Sequence, residues 1–200
     1  MEAYLLYFLL VPLLWFGLPR VKVLWKRYRF QKKLKAFCQR EMGELTWLRD
    51  PMESALHMDG KADFLLWHRG KCYRVAVFSC LHRYREHCFL SEERLAIHRK
   101  VTLKAANLRQ RVRMKEVSLG DFTRYLPLSL GEDQKEGEER ILLFYPVPRE
   151  LSCHRGSKKI YLGNGDPVFG GYRLLTYTAF WEELSGQGLY LKKRNPWESE

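Results

Sequence analysis

The residues of this 200-residue chain with the plainest capacity for chemistry are Cys80, His82, His87 and Cys88, spaced C-x-H-x4-H-C. Two thiolates and two imidazoles form a zinc set by type. The spacing opposes that reading: structural zinc sites pair ligands about two to four residues apart at two distant points, and adjacent His87 and Cys88 leave opposite faces of a strand. Buried cysteines and surface histidines are the simpler expectation. The five cysteines (Cys38, Cys72, Cys80, Cys88, Cys153) are an odd number, and no disulfide is expected in a reducing compartment.

Two further groups have the types needed for chemistry. His57, Asp59, Asp63 and His68 crowd one short stretch and offer acid/base or metal-binding groups, with turn and surface roles as the plain alternative. Gly163-x-Gly165-x4-Gly170-Gly171 could cradle a phosphate, but such a loop needs amides converging at a helix start. Asp166 intrudes and a strand is expected to follow, so tight turns explain these glycines better.

Gly60-Lys61-Ala62-Asp63, followed by a hairpin whose second strand covers residues 73–78, resembles the core of restriction-endonuclease-like, nuclease-related domains. In that family the first strand offers an Asp, and the second an acidic residue with a Lys two positions on. Paired carboxylates hold the metal, while the Lys positions the attacking water or stabilises charge. Asp63 matches the first position; Ala76 stands where the second acid belongs and Phe78 where the Lys belongs. The resemblance covers about residues 40–80 and extends to the run at 141–145. It implies a degenerate copy of the fold in a non-catalytic role. The residual enzymatic alternative is a divergent metal-dependent nuclease acting through Asp63, with Glu53 or Asp59 as improvised ligands. No cofactor is expected.

The elements that must position these groups begin with the first 45 residues. Residues 3–18, AYLLYFLLVPLLWFGL, carry no charge, and ten of the sixteen are Leu, Val or Phe. At roughly −0.3 to −0.6 kcal/mol each, those ten favour membrane insertion by roughly 3–6 kcal/mol. Sixteen residues rise about 24 Å, short of a core of about 30 Å, so the expected anchor runs over residues 3–25. Tyr4, Tyr7, Trp15 and Trp25 suit the two headgroup layers. A cleaved secretory signal would need a basic start and small residues at the cut; the start here is Met1-Glu2.

Nine basic residues and no acid lie between positions 20 and 40, out of a net charge of +12 for the whole chain. Arg20, Lys22, Lys26, Arg27, Arg29, Lys32, Lys33 and Lys35 are the expected contacts to anionic lipid headgroups. Interleaved with Trp25, Tyr28, Phe30 and Phe37, they offer nucleic acid as the alternative partner. The same charges should hold the body in the cytoplasm and send the N-terminus across. Residues 26–45 read as a basic juxtamembrane amphipathic helix, with Phe30, Leu34, Phe37, Cys38, Met42 and Leu45 on one face.

Residues 46–186 read as one cytoplasmic α/β or α+β domain around a mixed β-sheet, followed by a tail at 187–200. Residues 62–67 and 72–78 flank His68-Arg69-Gly70-Lys71 as a hairpin. Residues 84–90 could add a strand, and Ser91-Glu92-Glu93 predicts a helix to about Asn107. Residues 131–140, GEDQKEGEER, predict an exposed acidic loop. The apolar run 141–145 predicts a central strand covered on both faces. A strand at 172–177 and a helix capped by Thr178 complete the pattern. Taken together, the expectation is a single-pass membrane protein whose body binds a protein partner or scaffolds an assembly.

Overall fold

The computed structural model describes residues 2–80, 85–99, 123–131, 137–148, 150–155 and 158–186; side chains are described within these except at 2–16, 85, 98, 99, 123, 155 and 158. The tail at 187–200, His82, the core of the acidic loop and residues 100–107 of the expected second helix lie outside this set.

Helix α1 (Glu2–Glu41) is one unbroken element. Val23, Arg27, Phe30, Leu34, Phe37 and Cys38 are buried at three- and four-residue steps, forming the packed stripe that helical periodicity requires. Met42 then turns left-handed at φ 52°, and the Gly43 amide reaches back to the Cys38 carbonyl at 3.0 Å, closing the helix end. Strand β1 (Glu44–Trp47) follows at once, so the stretch expected to be helical to residue 45 ends instead inside the sheet.

Strands β2 (Phe64–His68) and β3 (Lys71–Phe78) form the expected hairpin around Arg69 and Gly70. Both turn residues have positive φ, 51° and 74°, as a two-residue turn of this twist demands. Chain order then leaves this sheet. β4 (Arg85–Ser91) pairs antiparallel with β5 (Arg94–Arg99), which pairs with β6 (Thr123–Pro127). β7 (Glu138–Phe144) returns to lie parallel beside β3. β8 (Glu150–Arg155) and β9 (Lys158–Tyr161) join β4, and β10 (Arg173–Thr176) lies parallel to β7 before α2 (Tyr177–Leu184).

The fold is therefore α+β with two mixed five-stranded sheets, β1-β2-β3-β7-β10 and β6-β5-β4-β8-β9, in place of the single sheet expected. Alternation along the central strands sorts the core into two layers. Val75, Val77, Ile141, Leu143 and Leu175 face Phe30, Leu34 and Phe37 of α1 and Phe180 of α2. Ala76, Phe78, Leu142, Phe144 and Leu174 face Phe89, Leu95, Leu151 and Cys153 of the second sheet. β7 is thus covered on both sides, which its continuous apolar run requires.

Three local expectations are corrected. Residues 91–99 form a hairpin turn and strand, not a helix: Ser91 Oγ accepts from the Glu93 amide at 3.2 Å within the turn, and Leu95 and Ile97 alternate inward. A cap signature and a polar turn use the same residue types, and here strand pairing on both sides decided between them. The acidic stretch loses its end to β7, where Glu138 pairs with Arg74 and Glu139 with Lys71 and Arg173. Thr176, not Thr178, caps α2, its Oγ1 accepting from the Ala179 amide at 3.4 Å.

Candidate functional site

Asp63 stands just ahead of β2, where the Val75 carbonyl accepts its amide at 2.8 Å and its own carbonyl accepts from Leu48 at 2.9 Å. The backbone thereby fixes the carboxylate inside the protein, 1% exposed. Oδ2 accepts from the Val77 amide at 2.6 Å. Oδ1 faces two guanidiniums, Arg49 Nη2 at 3.0 Å and Arg27 Nη2 at 3.3 Å. Arg49 also grips both oxygens of Asp59, at 2.9 and 2.7 Å, and donates to the Lys61 carbonyl at 2.9 Å.

A carboxylate so occupied is a structural hub. Arg27, expected on the outer surface of the helix, is turned inward, 3% exposed, and donates to Ser54 Oγ at 3.1 Å. Burial pushes its guanidinium below the usual value, with the Asp63 charge opposing that shift. Ala76 and Phe78, at the positions of the missing acid and Lys, belong to the apolar layer under the second sheet. Glu53 is exposed and His57 is exposed, so neither joins the cluster. His68 lies at the opposite end of β2, about 16 Å away at about 3.3 Å per residue.

That far end carries the second locus, a cleft of about 360 Å³ between the hairpin turn, β7, β10 and the end of α2. His68 Nε2 lies 3.1 Å from the Leu184 carbonyl, so the ring serves the C-terminal end of α2. Glu139 meets Lys71 at 2.6 Å and Arg173 at 2.7 Å, while Arg173 also bonds both oxygens of Glu183. Burial works against the charged form of Glu139, but Lys71 and Arg173 together outweigh it and hold the carboxyl below its usual range. Tyr73 lines the same cleft; burial first, then the Glu183 and Glu139 charges, push its phenol up, keeping it a neutral donor. Both carboxylates are already claimed by cations, so an incoming anion would have to displace one of them.

The sulfur and imidazole set does not converge in the parts described. His87 and Cys88 are both buried, which corrects the surface expectation for His87. His87 packs beside Phe144, with ring centroids 6.3 Å apart, on the face toward the first sheet. Cys88, one residue on, takes the opposite face, in register with Ser152 of β8. Burial drives the Cys80 thiol far above its usual value. Among the described residues no three His, Cys, Asp or Glu side chains group as a metal site. The amides of the glycine turns are committed internally: Gly163 to Asp166 at 2.7 Å, Gly165 to Leu174 at 2.7 Å and Gly170 to Glu92 at 3.1 Å.

The third locus is the outer face of α1. Arg20, Lys22, Arg29, Lys32, Lys33 and Lys35 are exposed, and Lys26 is half-buried. Several are held by rings: Arg29 lies 4.7 Å from the Trp25 ring, Lys26 5.6 Å from Tyr145 and Lys33 4.4 Å from Trp181. Leu18, Val21, Trp25 and Tyr28 are exposed beside them. Among the described residues no helix is long and apolar enough to cross a membrane. The uncharged run at 3–18 falls almost wholly on positions whose side chains lie outside the described set. No protein-family profile, no curated protein and no solved structure matches this chain.

Proposed function

We propose that this chain is a single-pass membrane-anchored protein whose cytoplasmic body binds or scaffolds other proteins without catalysing a reaction. The observation that carries the reading is the continuity of α1. One 40-residue helix, about 60 Å long at about 1.5 Å per residue, holds the uncharged run at one end and the packed stripe from Val23 to Cys38 at the other. From Arg20 onward, the outer face of the helix opposite that stripe carries a band of exposed cations and aromatics suited to anionic headgroups. A body docked on its own anchor has a fixed stance at the bilayer.

The non-catalytic part of the proposal is supported by the occupation of Asp63 and by Ala76 and Phe78 at the two companion positions. The nucleic-acid alternative is weakened because Arg27 is buried and Lys26 and Lys33 are spent on rings of the body. The test is alkaline carbonate extraction combined with protease protection of a tag placed after Glu200. Retention in the membrane pellet, with the tag digested only when the cytoplasmic side is open, is the expected result. Release into the supernatant would remove the anchor, and digestion from the outer side would reverse the orientation.

A further inference from the structure

The body meets α1 at a definite level along the helix. The 3-10 turn at Ser54–Leu56 packs on α1. Arg27 donates to Ser54 Oγ at 3.1 Å, and Val23, one turn earlier, is 3% exposed. Asp50 shapes this segment, its Oδ1 accepting from the Met52 and Glu53 amides at 2.8 and 2.9 Å. The result is a loop whose Ser54 and Ala55 face inward while Met52 and Leu56 remain exposed.

Depth along the anchor then follows from length. Counted from Ala3, about twenty residues at about 1.5 Å fill a hydrocarbon core of about 30 Å and reach Lys22. The headgroup layer adds about 5–8 Å on each side, so Val23 to Arg27 fall within it. The 3-10 turn packed on those residues falls within it too. On the opposite side of the helix, Leu18, Val21, Trp25 and Tyr28 recur at three- and four-residue steps and are between 49% and 60% exposed. Apolar side chains thus flank the helix on both sides where it leaves the hydrocarbon core, on the helix itself and on the neighbouring loop.

We infer that Met52 and Leu56 insert into the phospholipid interface, making the 3-10 turn a second membrane contact beside the anchor. The inference rests on the anchoring proposed above. A phospholipid surface is the occupant because the patch continues the uncharged run of the same helix and is rimmed by exposed Arg20, Lys22 and Arg29, which match anionic headgroups. Exposed Asp50 and Glu53 lie in the loop itself, so its own contact is apolar, and the attraction to anionic lipid comes from the helix.

The test places a nitroxide on Met52→Cys, on Leu56→Cys and, as reference, on Tyr161→Cys at the far edge of the second sheet, in the full chain reconstituted into phosphatidylcholine/phosphatidylglycerol vesicles. All five native cysteines are buried, which directs the label to the introduced thiol. Labels at 52 and 56 should collide with oxygen at least about three times more readily, relative to a water-soluble nickel reagent, than the label at 161. Equal, water-like ratios at all three positions in carbonate-resistant protein overturn the second contact and leave the anchor standing. Shielding from both reagents that disappears on diluting the protein in the vesicles means that another chain covers the patch, and also overturns it. Release of the protein by carbonate defeats the anchoring and this inference together.

Discussion

The Arg27 guanidinium lies 3.3 Å from the Asp63 carboxylate, each side chain no more than 3% exposed, and the pair joins α1 to the start of the central hairpin. The two residues are far apart in sequence, and each was legible on its own as something else: Arg27 as a headgroup contact and Asp63 as a metal ligand. Their pairing makes α1 part of the body. A buried pair of this kind costs more to break than it contributes when made, because its loss strands a charge in a low dielectric.

Asp63→Asn should therefore lower unfolding stability by about 3–5 kcal/mol, since it leaves the buried Arg27 guanidinium without its carboxylate, while Arg49 keeps Asp59. Replacing Asp63 and Arg27 together by Leu and Met should cost less than the two single changes combined. Denaturant titration of the full chain in detergent micelles measures both. A near-neutral Asp63→Asn would show that the carboxylate is not the hub described.

Phe30 touches the rings of Phe64, Tyr145, Tyr177, Phe180 and Trp181, with centroid distances of 5.9 to 6.1 Å. Phe30→Ala should cost about 3–5 kcal/mol through lost transfer energy and a residual cavity. Lys32→Ala, two residues on and on the exposed side, should change stability by less than about 0.5 kcal/mol. The same titration, run on both variants, separates the packed stripe from the outer face.

Lipid selectivity should depend on the exposed cations and not on Arg27. At about 1 kcal/mol per charge, replacing Arg29 and Lys32 by Ala should weaken association with phosphatidylglycerol by up to roughly 30-fold. The fraction of spin-labelled phosphatidylglycerol immobilised by the full chain reports this, and the difference should shrink as salt screens it.

Glu139 has its carboxyl held below the ordinary value of 4.5 by Lys71 and Arg173 against the opposing effect of burial. A depressed folded-state value gives stability that is present above the unfolded value and is lost as pH falls through the folded one. Stability should therefore decline below about pH 4.5, and Glu139→Gln should flatten part of that decline. Denaturation midpoints of both proteins at pH 7 and in the acid range provide the comparison.

The cysteines should be inert in the folded protein. All five are buried, and burial raises the Cys38, Cys72, Cys80 and Cys88 thiols. Thiolate is the reactive form, so an aromatic disulfide reagent should titrate them slowly in native protein and rapidly in denaturant. Fast reaction of a native thiol would place it at the surface.

Local chemistry was readable wherever one physical constraint acted alone. The period of Phe30, Leu34, Phe37 and Cys38 marked the packed face of α1, and Arg69-Gly70 marked the hairpin turn. The charge-free run at 141–145 announced a strand with apolar neighbours on both faces, and β7 has them. The hairpin at 85–99 was hidden because its turn residues are also helix-capping residues. β1 and β9 were hidden because four-residue strands carry too few positions for alternation to declare itself.

By itself the sequence determined an uncharged opening run, a band of cations behind it, the central hairpin and the final strand and helix, because composition, period and turn chemistry are properties of neighbouring residues. Only the tertiary structure decided that the strands divide into two sheets, that Arg27 turns inward, and that Asp63 is saturated while His68 stands at the other end of its strand. Those outcomes depend on which distant segments meet. A side chain's partner, and with it the dielectric it feels, is set by packing across the chain and not by the residues beside it.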